Sequence, residues 1–183
     1  MSEPAASTRA AVAQAFARIA FDTLATDGRL QAESAIAGMA RMAGTYYFRS
    51  FGYAALTLVP GQAVLSAEAN EKGPELMNLT HEVLARIGLR LDDNAVRAQL
   101  AATQDAHRPV MDFRSTQPRL ERAFAPVKAQ YGLSNVEAGR AAACAVALLI
   151  HNCQQVLDPA VALGIAVYGF VEGSKTTPWP VDA

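Results

Sequence analysis

Apolar residues recur along this chain at intervals of three and four almost from end to end, the spacing that gathers side chains on one face of an α-helix. The first stripe, Val12, Phe16, Ile19 and Ala20, predicts a helix over Thr8 to Ala25 that stops near Gly28. A second, Ile36, Met39, Ala40, Ala43 and Tyr47, predicts one from about Leu30 to Gly52. Regularity then lapses. Pro60-Gly61 is a turn signal, and Ser66 fits the cap of a short helical turn closed by Gly73. Pro74 suits the opening of a separate helix with Leu76, Leu79, Val83, Leu84 and Ile87 on its face and Gly88 as its stop.

Asp92 or Asp93 fits the cap of the next helix, with Leu91 set to staple against Val96, so that these two helices form a hairpin. A polar connection from Asp105 to Gln117 leads to a helix opened by Pro118 with the stripe Leu120, Phe124, Val127 and Tyr131; Pro126 should kink it or cut it short. Ser134 and Glu137 match a capping box before a helix from Asn135 to about Gln155. Asp158-Pro159 repeats that grammar for a last helix through Val171 to about Gly173, beyond which "SKTTPWPVDA" reads as extended. The one strand-like run, Leu56 to Val59, is too short to build a sheet. The expectation is an all-α fold, an irregular bundle of about seven helices in one domain over residues 1–175, with an extended tail at 176–183.

The last two helices are oily on most sides. A membrane span needs about 20 apolar residues, and the run from Ala141 to Ile150 is about half that. Such helices belong in the middle of a soluble bundle or at a subunit interface, which makes the C-terminal third the expected heart of the molecule. Ala162, Ala166, Gly169 and Gly173 add a smooth strip along the last helix, where another backbone can lie close; glycine costs about 1 kcal/mol against alanine inside a helix, and tight packing offsets that. Alanine makes up about a fifth of the chain, so the expected core is rich in Ala and Gly.

Charge narrows the partners. The formal net charge of -1 and pI near 6.3 supply no field for nucleic acid or anionic lipid. The segment "MSEPAASTRAAVAQAF" lacks the order of an export signal, so a cytoplasmic address is expected. Cys144 and Cys153 lie on opposite sides of one predicted helix and cannot bridge within it.

No phosphate-cradling glycine loop, nucleophile elbow or Cys-x-x-Cys pattern occurs, and no cofactor or metal site is expected. His151 follows Cys144 by two helical turns, about 10 Å along the axis, too far for direct activation of the thiol; His151 and Asn152 read as partners for the helix end. His81 reads as solvated, beside Glu82 and Arg86 spaced for a surface ion pair, and His107 stands in a loop with no partner that spacing identifies.

Two stretches invite function. "TYYFRSFGY" gathers Tyr46, Tyr47, Phe48, Phe51 and Tyr53 around Arg49, a combination that serves a core, a subunit interface or a pocket for a flat or anionic ligand. A buried Arg49 calls for an acidic partner, for which Glu68, Glu71 and Glu172 are the candidates. "LSAEANEKGPEL" places Glu68, Asn70, Glu71, Lys72 and Glu75 on an irregular segment between oily helices, where carboxylates serve as acid and base, bind a cation, or simply cap helices. The leading expectation is a non-catalytic binding or interaction protein acting as a homodimer through its small-residue or aromatic surface, with a protein or a small anionic or aromatic molecule as partner. The alternative is a small enzyme or ligand-binding protein with a pocket between Tyr46, Tyr47 and Arg49 and the Glu68–Glu75 segment carrying Asn70 and Glu71.

Overall fold

Helices α1 (Glu3–Leu24), α2 (Ala32–Ser50), α3 (Ala67–Arg86), α4 (Phe113–Gln130), α5 (Asn135–Cys153) and α6 (Pro159–Lys175) make up the fold in a computed structural model that describes residues 3–53, 57–92, 94, 96 and 107–181. The class is all-α, as expected. Six helices stand among the described residues where about seven were expected. The helix expected after Asp92 or Asp93, and the hairpin it would complete, fall mostly outside those residues, although Asp92 accepts the Asn94 N–H on Oδ1 at 3.1 Å and the Val96 N–H on its carbonyl at 3.0 Å.

Several caps act as their spacing predicts. Ser134 and Glu137 form the reciprocal capping box of α5, Asp158 accepts from the Ala160 and Val161 amides at the start of α6, and Ser66 accepts from the Ala69 amide. Prolines are not boundaries in two of these helices. The turn after Ser66 and the helix expected at Pro74 are one continuous helix, α3, with Pro74 inside it. The helix expected from Pro118 opens at Phe113 instead, because Asp112 caps it by accepting the Ser115 amide at 2.7 Å, and it runs through both Pro118 and Pro126 to Gln130. Each internal proline forfeits a backbone hydrogen bond. Burial of Phe113, Leu120 and Phe124 along the same helix offsets that loss.

Core formation centres on α2, fifteen of whose nineteen residues are buried. It touches each of the other five helices, most extensively α6 and then α5. The oily C-terminal pair is therefore central, as expected, but it wraps a helix from the N-terminal third. The small-residue strip of α6 is what admits α2. A Cβ placed on Gly173 would lie 2.1 Å from the Arg41 carbonyl oxygen, and one on Gly44 would lie 2.6 Å from the Phe170 carbonyl oxygen, so the two backbones touch with no side chain between them. Around this pair, Phe16 of α1 stacks on Phe124 of α4 with ring centroids 4.3 Å apart.

Beyond α6 the chain is extended and held down. Thr177 exchanges backbone hydrogen bonds with Gly61 and Gln62, both at 2.8 Å, and the Gln117 side chain brackets Trp179 by accepting its N–H at 2.8 Å and donating to its carbonyl at 3.3 Å. The Trp179 ring lies against Gly61, whose φ of 84° and missing side chain suit both the turn and the contact. Among the described residues no single helix is long and apolar enough to cross a membrane; α4 and α5 reach that length only together, around a 114° bend.

Candidate functional site

The residues picked out from the sequence divide among three places. Tyr46 is 1 % exposed and faces α4, where its ring lies under the Lys128 ammonium at 5.6 Å. Its hydroxyl has no hydrogen-bond partner; burial, with Glu121 adding, pushes the phenol far above its ordinary range, while Arg49 pulls the other way. Arg49 finds an acidic partner, but not an expected one. It grips Glu121 of α4 through Nε at 2.6 Å and Nη2 at 2.9 Å, and Glu121 also accepts from Gln117.

Tyr47 points elsewhere. Its hydroxyl donates to Glu75 of α3 at 2.7 Å, and Arg140 of α5 donates to the other carboxylate oxygen at 2.7 Å, so one carboxylate ties three helices together. Burial acts to raise the Glu75 pKa, yet the hydrogen bonds from Tyr47 and Arg140 outweigh it and hold the group below the ordinary 4.5; burial and the Glu75 contact in turn push the Tyr47 phenol up. A carboxyl whose folded pKa is depressed contributes stability above its unfolded pKa and loses it as the pH falls toward the folded value. Acidification below 4.5 is thus expected to lower the denaturation midpoint of the protein, and Glu75→Gln to flatten that dependence in denaturant melts recorded across pH 6 to 3. A variant as acid-sensitive as the parent contradicts the assignment.

Glu68, Asn70 and Glu71 form the third group. They lie exposed on the first turns of α3, which is helix where an irregular loop was expected. Glu68 accepts from the Tyr53 hydroxyl at 3.3 Å, and Asn70 lines a groove of about 240 Å³ between α3 and α6. Tyr46 and Arg49 therefore face α4, Tyr47 faces Glu75, and the acidic turn faces solvent. They do not converge on one pocket. Both surfaces offered to a second copy are also covered within the chain: the α6 strip by α2, and Tyr46, Tyr47 and Phe48 by the core.

Cys144 and Cys153 are free thiols, both pushed up by burial, and His151 meets Gln154 at 3.4 Å rather than either cysteine. Cys144 lines a groove of about 240 Å³ between α1, α3 and α5, which also holds Arg9 and the pair Glu82 and Arg86, in contact with each other at 2.5 Å. Among the described residues no three His, Cys, Asp or Glu side chains cluster as metal ligands would.

A different cavity combines space with charge. It has a volume of about 280 Å³ and lies between α2, α6 and residues 107–112, with Arg41, Arg108, Tyr168 and Glu172 beside the apolar Ala37 and Ile165. Its third wall is pinned to α2. Val110 donates to the Gln31 side chain at 3.0 Å, Met111 donates to Ser34 Oγ at 3.1 Å, and the His107 ring lies 3.3 Å from Glu33. Arg41 crosses the cavity's inner edge with its side chain 11 % exposed, donating from Nε to Glu172 at 2.6 Å and from Nη1 to the Met111 carbonyl at 2.9 Å. The Phe113 ring, itself packed edge-on against Trp179, flanks the guanidinium at 5.9 Å. Past Arg41 and Glu172 the cavity continues into a recess beside Val110, Asp112 and Phe113.

Of these residues the sequence pattern marked Glu172, as a candidate partner for Arg49, and His107, without a partner; Arg41 and Arg108 carried no site expectation. Arg41 had a signal, being the one charge inside "AIAGMARMAG", and a buried guanidinium must be paired; the wall at 107–112 read only as a polar connection. No family model, curated protein or solved structure matches the chain.

Proposed function

We propose that the protein is a non-catalytic binding protein whose ligand site is the cavity between α2, α6 and residues 107–112. The observation that carries this reading is a guanidinium held rigidly at the edge of a cavity with one apolar side and one polar side: Arg41 is fixed at two nitrogens and flanked by a ring, while Arg108 stands exposed at the same cavity. Concave, mostly apolar space with a few oriented polar groups is the common form of a small-ligand site. The named groups favour binding over chemistry. Arg41 and Glu172 are committed to each other, and neither cysteine lines this cavity.

This reading moves the ligand site away from the aromatic and acidic stretches, whose polar groups serve as ties between helices. Homodimer formation remains compatible with it through other faces, since the α6 strip is used inside the chain. The test is an amide NMR titration of the full chain with three compounds of one shape and different charge: phenylacetate, phenylacetamide and 2-phenylethylamine. At least one is expected to shift the amides of Ala37, Arg41, Arg108 and Gly169. If all three leave those amides unmoved, the cavity is not the site.

A further inference from the structure

Resting on that reading, we infer that the cavity selects a small organic anion of single negative charge with a compact apolar body, and that Arg108 and Arg41 Nη2 receive its anionic group. Four observations lead there. The first is the charge of the described wall. Arg41 is matched by Glu172, and Asp112 in the adjoining recess is a second carboxylate, held ionised by its hydrogen bonds from Ser115; Arg108, at the opening, is the cation with no acidic partner among the described residues. A ligand anion supplies Arg108 with that partner, whereas a ligand cation meets it with like charge.

The second is donor geometry. Arg41 Nε and Nη1 are taken by Glu172 and the Met111 carbonyl, which fixes the plane of the guanidinium and leaves Nη2 as the nitrogen without a partner among the described residues. A guanidinium oriented in advance loses little freedom when it binds a carboxylate. The third is Arg108, which is exposed and, among the described residues, has no acidic partner. An unpaired arginine at the opening of a concave site attracts an anion without first having to break an ion pair.

The fourth observation concerns the rest of the ligand. Ala37, Gly164, Ile165 and Gly169 offer no hydrogen-bonding side chain, and the wall they make is mostly apolar, so the uncharged part of the ligand must be apolar too. A bare inorganic anion leaves that surface wet, and the apolar patch is confined to Ala37, Gly164, Ile165 and Gly169, which suits a compact body. A short or cyclic carboxylate fits both halves. Phe113 and Trp179 enter as positioning residues: Trp179 packs edge-on against Phe113 at 5.3 Å, and Phe113 backs the Arg41 guanidinium.

The test is calorimetric titration of the full chain and of Arg108→Gln with the same three probes. Arg108 is exposed and makes no hydrogen bond or ion pair with a described residue, so the substitution is expected to leave the fold in place, which a thermal melt checks. Phenylacetate is expected to bind at least about tenfold more tightly than phenylacetamide or 2-phenylethylamine, and Arg108→Gln to weaken phenylacetate about tenfold while leaving phenylacetamide unchanged, the size expected of one charge-assisted hydrogen bond at a half-open site. Amide or amine binding as well as the anion overturns the selectivity while leaving the cavity as a binding site. An unchanged phenylacetate affinity in Arg108→Gln overturns the role of Arg108. If no probe binds at all, the binding site falls and this inference with it.

Discussion

Gly173→Ala is expected to destabilise the protein by about 3 kcal/mol or more, the upper range for forcing atoms into a closed core. The added Cβ would sit 2.1 Å from the Arg41 carbonyl oxygen, far inside contact distance. Both parties to the clash are helix backbone, so neither can swing away as a side chain would; α2 and α6 must separate, and the buried faces of both lose packing along their length. Gly73→Ala is the matched control. Gly73 also lies inside a helix, but apart from its chain neighbours a Cβ there meets nothing within 4 Å, so the substitution should change stability by no more than about 1 kcal/mol, the gain in helix propensity being opposed by crowding against Pro74. Denaturant melts of the two variants beside the parent decide the matter. A Gly173→Ala protein as stable as its parent means that the helices do not cross where described.

The second large effect lies between α1 and α4. Phe124→Ala is expected to cost about 3–5 kcal/mol, because the ring is 0 % exposed and its removal leaves a void facing Phe16, on which it stacks. Phe21, on the same helix as Phe16 but 47 % exposed, provides the comparison; Phe21→Ala should change stability by less than about 1 kcal/mol. Equal losses at the two positions would mean that α1 packs through a different face. The comparison also tests α4, because Phe124 can stack on Phe16 only if the helix continues without interruption from Asp112 past Pro118.

Helix class and most caps were legible because both are local. Periodicity shows one face of one helix, and a Ser-x-x-Glu or Asp-Pro signal needs only the next few residues to act. Proline was the local signal that misled. At Pro74, Pro118 and Pro126 the chain tolerates a lost backbone bond inside a helix, and the compensating burial involves residues of other helices that no local pattern contains. Which helix lies at the centre was hidden for the same reason. The hydrophobic excess of α5 and α6 is plain along the chain, whereas the centrality of α2 depends on how its small residues meet those of α6.

The candidate site was less legible than the fold. Arg49 is exposed rather than buried, so the burial argument for an acidic partner does not apply to it; the carboxylate it meets, Glu121, stands 72 residues away on α4. Arg41 meets Glu172 across 131 residues and meets Met111 across 70, and spacing along a chain carries no information about contacts of that range. Aromatic density at Tyr46 to Tyr53 drew attention because it is conspicuous in sequence; in three dimensions those rings are mostly packing, and the open cavity is bordered by residues that look ordinary one at a time.

A crystal structure of the full chain soaked with phenylacetate measures the crossing and the site at once. The expected result is a carboxylate within hydrogen-bond distance of Arg108 and of Arg41 Nη2, the ring against Gly164 and Ile165, and the Gly173 backbone still in contact with that of Arg41. Phenylacetate seated instead in the groove between α1, α3 and α5, or α2 and α6 held apart by side chains, would contradict it.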